Sequence, residues 1–121
     1  MAAAEVASVR EALSRYGSAY SRLDAAAARA VWPSVDARAL GHAFAELRSQ
    51  HVTFDDCDIA VAGLRARAAC RGATTYVPRV GDQNPRTEAR AWRFELEKGR
   101  DATWRIAAAK ISVPRESTRA R

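Results

Sequence analysis

The sequence predicts an α+β domain: three N-terminal helices packed on a strongly curved, antiparallel four-stranded sheet, a cone-shaped α+β barrel. Three observations predict it. Apolar residues recur at steps of three and four as far as Leu47 and alternate with polar ones from Val52 onward. Residues 52–77, VTFDDCDIAVAGLRARAACRGATTYV, read as two strands folded about Ala62-Gly63-Leu64-Arg65. Two further alternating runs follow, one around Trp92 and one around Trp104.

The first helix is expected over residues 5–22, with Val6, Val9, Leu13, Tyr16 and Tyr20 on one face and Gly17 weakening its middle. Leu23-Asp24 ends it, and Asp24 caps a short second helix, 25–31, which Trp32-Pro33 breaks. Ser34 or Asp36 caps a third helix over 36–49, with Leu40, Ala43, Phe44 and Leu47 as its apolar positions. In the hairpin, Gly63-Leu64 at the turn sets Cys57 opposite Cys70, Ile59 opposite Ala68 and Val61 opposite Ala66 on one face. The other face pairs Asp56 with Arg71 and Ala60 with Arg67, so one side is apolar and the other charged. Residues 78–85, PRVGDQNP, form a loop. The third strand, 87–97, alternates Trp92, Phe94 and Leu96 with Arg93, Glu95 and Glu97. The fourth, 103–112, turns Trp104, Ile106 and Ala108 inward. A single domain is expected over 1–113, with a basic, frayed tail over 114–121.

At 121 residues the chain is long enough to bury a core, and 48% apolar content argues against disorder. The formal charge is +6, and only Lys98 and Lys110 among the basic residues are lysines. The arginines are spread along the chain, which argues against a nucleic-acid partner. No apolar run spans a membrane, and residues 1–5 lack the features of a signal peptide. The chain as written therefore reads as cytoplasmic. A cross-strand disulfide between Cys57 and Cys70, opposite on the inner face, would instead mark an exported source, as would a place in a larger protein. Two cysteines and two histidines make no metal-ligand spacing, and neither a metal nor a cofactor is expected.

The order of elements resembles the nuclear-transport-factor-2-like superfamily, the cystatin-like cone that includes SnoaL-like polyketide cyclases, ketosteroid isomerase and scytalone dehydratase. The resemblance rests on Tyr16, Tyr20, Leu23-Asp24, Val31-Trp32, the hairpin at Gly63, and the Trp92/Phe94 and Trp104/Ile106 strands. The segments VWPSVD, FDDCDI and CRG are similar to those of a subset that ends bacterial signalling or membrane-anchored proteins. The resemblance implies a pocket at the open end of the cone. Tyr16, Tyr20, Trp32, Arg90, Trp92 and Trp104 are its candidate lining.

It also places Tyr16 where ketosteroid isomerase carries an oxyanion-stabilising tyrosine. The two acids that isomerase needs have no evident counterpart, since Arg90, Trp92 and Phe94 face inward without a carboxylate. The one pairing available for a dehydratase-like site is His42 with Asp24. Tyr16, His42 and Asp24 are thus the candidate catalytic residues. Arg90, inward and charged, needs a partner such as Asp24, Glu46 or an anionic ligand. The reading preferred from sequence is a non-enzymatic assembly or ligand-sensing module. It would form a homodimer through the outer sheet face, where Arg67, Arg71, Arg93, Glu95 and Arg105 mix signs as a self-complementary contact requires. The alternative is a SnoaL-like or ketosteroid-isomerase-like enzyme, or a small-molecule binder, that takes a small hydrophobic or anionic ligand in the cone.

Overall fold

The computed structural model describes residues 2–113, so the expected tail at 114–121 lies outside the described residues. Helices α1 (Ala2–Ser21), α2 (Ala25–Val31) and α3 (Ala37–Ala45) precede strands β1 (Leu47–Ala62), β2 (Arg65–Pro78), β3 (Arg86–Lys98) and β4 (Trp104–Ser112). The strands form one antiparallel meander in the order β1-β2-β3-β4. Three helices packed on a four-stranded antiparallel sheet is the α+β architecture the pattern predicts. The sheet stays open, with β1 and β4 as its edges. Enclosure comes from α1, which lies across the inner face and touches both β1 and β4.

Local chemistry explains the helix limits. Val9, Ala12, Leu13, Tyr16 and Ala19 make the buried stripe of α1. Leu23 then takes a left-handed φ of 55° and turns the chain. The Asp24 carboxylate accepts from the Ala27 N–H at 3.0 Å and caps α2, and Asp36 does the same for α3 through Ala39 at 3.0 Å. Helix α3 is shorter than the periodicity predicts. Leu47 sits three residues after Phe44 and so fits a helical stripe, but it pairs with Pro78, and residues 49–51 pair with Thr75, Tyr76 and Val77. Arg79 fixes this junction, its backbone N–H donating to the Glu46 carbonyl and its guanidinium to the Ala45 carbonyl. The long β2 ladder overrides the local helical pattern.

The hairpin has the predicted register, with Cys57 opposite Cys70 and Ala60 opposite Arg67. Gly63 alone of the two turn residues has a positive φ, 62°. A bulge between Phe54 and Asp56 shifts the register by one. There Gly72 approaches β1 so closely that a Cβ would lie 1.9 Å from the Thr53 carbonyl oxygen. A second bulge, opposite Glu95 and Leu96, corrects the expected facing of β4: Ala108 is exposed and Ala109 packs on the core. Bulges of this kind bend and twist a sheet over its helix.

The inner face is filled by Trp92, Phe94, Leu96, Trp104 and Ile106, all nearly fully buried against α1. Tyr16 stacks on Tyr20 at 4.3 Å and meets Phe94 edge-on at 5.0 Å, and Phe54 meets Trp92 edge-on at 4.8 Å. Each such side chain contributes about 1.5–3 kcal/mol on burial. In the first turn of α1, the Glu5 carboxylate accepts from Lys98 Nζ at 2.7 Å and from Trp104 Nε1 at 2.9 Å. This ties the start of α1 to the β3–β4 turn.

Candidate functional site

A cleft of about 310 Å³ opens between α1, α3 and the inner face of the sheet. Tyr16 and Tyr20 reach it from α1, and Leu40, Ala43 and Phe44 from α3. The sheet supplies Gln50 and Val52 from β1, Thr74 and Tyr76 from β2, Glu88, Arg90 and Trp92 from β3, and Ile111 from β4. The body of the cleft is apolar and aromatic, and its polar groups gather on one wall.

Glu88 is the centre of that wall. One carboxylate oxygen pairs with the Arg90 guanidinium, and the other accepts from the Tyr76 hydroxyl at 3.1 Å. Arg90 first, and Tyr76 second, hold the Glu88 carboxyl below the usual glutamate range. Arg90 also donates to the Ala89 carbonyl at 3.0 Å. Within the chain the partner of Arg90 is therefore its strand neighbour Glu88, and neither Asp24 nor Glu46. Strand alternation had the signal: one step of two beyond Arg90 reaches Glu88. Tyr76 and Gln50 also face the cleft: the inward alternation of β2 runs on to Tyr76, and that of β1 changes phase at the bulge between Phe54 and Asp56, which brings Gln50 to the inner side.

Deep in the cleft, Tyr16 is fully buried, and its hydroxyl closes no hydrogen bond of normal length among the described residues, although the polar groups of Tyr20 and Trp92 lie beside it. Burial, with Tyr20 beside it, raises its pKa far above the ordinary tyrosine value, so the phenol is neutral. Tyr20 is raised as well, by burial.

The other predicted site residues lie elsewhere. Asp24 spends its carboxylate on the α2 cap and does not line the cleft. His42 is exposed on α3, and His51 is exposed on β1. Trp32 packs behind Tyr16 at 6.5 Å and donates to Ser34, and Trp104 is buried at the opposite end beside Glu5. Tyr16, Tyr20, Arg90 and Trp92 are the sequence candidates that share the cleft. Cys57 and Cys70 are joined as a disulfide on the inner face of the hairpin. Among the described residues no three His, Cys, Asp or Glu side chains gather as a metal-ligand set, and no helix is long and apolar enough to cross a membrane.

No protein-family model matches the chain, and no curated protein matches its sequence. Solved structures match its fold. A presumed dehydratase of the nuclear-transport-factor-2-like family from Streptomyces avermitilis is similar at a TM-score of 0.79 and 14% identity, over 93% of this chain and 97% of that one. A nuclear-transport-factor-2-like superfamily protein from Salmonella enterica is similar at a TM-score of 0.78 and 16% identity, with 88% of each chain covered. A protein from Catenulispora acidiphila, in complex with S-DNPA, is similar at a TM-score of 0.72 and 15% identity over 98% of this chain and 99% of that one. Helices, meander and cleft together define an α+β domain with a pocket between its layers. Its fold is the nuclear-transport-factor-2-like, cystatin-like fold.

Proposed function

We propose that the domain is a non-enzymatic ligand-sensing module. Its cleft takes a compact, mostly apolar molecule with a hydrogen-bond acceptor such as a ketone, and the domain pairs with a second copy through the outer face of its sheet. The observation that carries the ligand reading is the Tyr16 hydroxyl, a neutral donor buried at the cleft that closes no hydrogen bond of normal length among the described residues. An unmade hydrogen bond at a buried donor costs about 1–3 kcal/mol, and a ligand acceptor recovers it. The volume fits a small molecule, and aromatic walls with a few polar groups are the usual lining of such sites. The complex of the Catenulispora protein with S-DNPA supports a small-molecule role for this fold.

Binding is favoured over turnover because no described residue lining the cleft is a proton-transfer group poised near neutral pH. Glu88 is held ionised by Arg90 and Tyr76, Tyr16 is held neutral, and both histidines are outside. Internal pairing of Glu88 with Arg90 also leaves the wall without a spare charge, which favours a neutral ligand over an anion. Calorimetric titration with acetylnaphthalene, and with ethylnaphthalene as the control that lacks an acceptor, tests the reading. The ketone is expected to bind about tenfold tighter, the worth of one hydrogen bond. Tyr16→Phe is expected to erase that preference while the protein stays folded. Equal affinities in the wild type, or no binding of either probe, would overturn it.

A further inference from the structure

The geometry points to the Cys57–Cys70 disulfide as a redox control on the cleft, opened by a dithiol that attacks at Cys57. The effect on the cleft rests on the ligand reading above, and the exchange chemistry stands without it. Cys57, Cys70, Trp92 and Ile111 form one row across β1 to β4 on the inner face. Trp92 and Ile111 line the cleft, so the bond closes one end of a row whose other half is cleft wall. Phe54 makes a second link. The bulge between Phe54 and Asp56 returns Phe54 and Cys57 to the same face, although they stand three residues apart. The Phe54 ring meets Trp92 edge-on at 4.8 Å, stacks beside Tyr16 at 6.4 Å and lies over Gly17 of α1. It therefore backs both the indole and the phenol of the cleft.

Phe54 is held lightly. β1 is an edge strand, paired on one side only, and its ladder is interrupted at the bulge itself. The covalent tie nearest the bulge is the disulfide, at the residue after Asp56. Segments with few ladder bonds open locally at low cost, and a cross-link limits how far they open. The bond is also within reach of solvent. Cys57 is half-buried, whereas Cys70 is fully buried. A hollow of about 280 Å³ between α1 and the bulge is lined by Cys57 and Phe54 and rimmed by the exposed Arg10, Ser14, Asp55 and Asp56. A thiolate entering there bonds to the Cys57 sulfur and breaks its bond to Cys70. The Cys70 sulfur leaves with the electron pair and takes up the proton that the attacking thiol gave up. Cys70 stays opposite Cys57, so it expels a monothiol and restores the original bond. A dithiol escapes this return. Its second thiol attacks its own bonded sulfur, frees Cys57 as a thiol, and the reagent departs as a cyclic disulfide. The protein gains two electrons and two protons, and the dithiol loses them. Two free thiols no longer tether the bulge. Phe54 leaves Trp92 and Tyr16 in the open form, and a ligand must select the closed one.

Calorimetry with acetylnaphthalene, on the oxidised protein and on protein reduced with dithiothreitol, tests this alongside amide hydrogen exchange, which needs no ligand. Reduction is expected to weaken ketone binding about tenfold, as follows when about a tenth of the molecules keep the bulge closed. Exchange at residues 53–57 is expected to speed up by about tenfold or more while residues 92–96 stay protected. Cys57→Ala combined with Cys70→Ala is expected to bind like the reduced protein and to be indifferent to dithiothreitol. Equal affinity of the oxidised and reduced protein would overturn the control. So would a bond that dithiothreitol leaves intact in the folded protein. Unfolding of the whole domain on reduction would overturn it too, since the bond would then serve the fold alone. If neither state binds the ketone, the ligand reading fails by itself and the exchange data decide the rest: faster exchange at residues 53–57 supports the redox device, and unchanged exchange overturns it.

Discussion

A buried hydroxyl and two carboxylates carry most of what individual residues do here. Tyr16 sits in the core like a phenylalanine, except that its oxygen closes no hydrogen bond of normal length among the described residues. Tyr16→Phe is therefore expected to leave the ligand-free protein as stable as the wild type, or about 1 kcal/mol more stable by chemical denaturation. A large loss would show that the hydroxyl is satisfied in the ligand-free state. Glu5 and Glu88 work at opposite ends of the sheet. Lys98 and then Trp104 hold Glu5 below the ordinary glutamate value of 4.5, and Arg90 and then Tyr76 do so for Glu88. A folded pKa below the unfolded one gives stability that is present above about pH 4.5 and is lost as pH falls through the lowered values. The double variant Glu5→Gln, Glu88→Gln is expected to melt below the wild type at about pH 6, with the gap narrowing as the solution is acidified past 4.5. A gap that stays constant through the acid range would show that these carboxylates act through packing alone.

At the scale of elements, the hairpin is where sequence and structure agree most closely, and the reasons are local. Gly63 permits the turn, and period-two alternation leaves one register that keeps Cys57, Ile59, Ala66, Ala68 and Cys70 on the core side. The bulge a few residues earlier was not legible. Asp55 and Asp56 are both polar and both exposed, so alternation carries no record of the extra residue. Its signature is Gly72 on the neighbouring strand. Gly72→Ala is expected to cost about 2–4 kcal/mol, because the new Cβ would strike backbone rather than a movable side chain. Urea denaturation measures it, and a loss under about 0.5 kcal/mol would show that β1 yields at the bulge. The disulfide closes the same hairpin over a separation of 13 residues. Replacing both cysteines with alanine is expected to cost up to about 3 kcal/mol, mostly through the unfolded chain. The α3–β1 boundary was misplaced for a different reason: Leu47 satisfies a helical step and a strand alternation equally, and only the distant partner Pro78 decides between them.

Over the whole molecule, the sheet separates two tasks. Its inner face is apolar around Trp104 and Leu96 and lines the cleft around Arg90 and Trp92, and its outer face is charged and small. That division was visible in the alternation of β2 and β3. The cleft wall was not, because it depends on where Glu88, Arg90 and Tyr76 converge from two strands. The core is sealed by α1 on one side of the sheet, so a partner on the other side adds nothing to it. Trp92, Phe94 and Leu96 are buried within a single chain, while their strand neighbours Arg93, Glu95 and Glu97 are exposed. Assembly and ligand binding should then separate under substitution. Lys110→Glu touches only the outer face at the β4 edge. The dilute variant is expected to melt within about 2 °C of an equally dilute wild type and to bind acetylnaphthalene with unchanged affinity, while its dimer weakens. The converse holds for Tyr16→Phe, which should lose the ketone preference and dimerise normally. If Lys110→Glu instead lowers ketone affinity, the two faces are coupled through the strands they share, and the domain reports ligand occupancy through its own assembly.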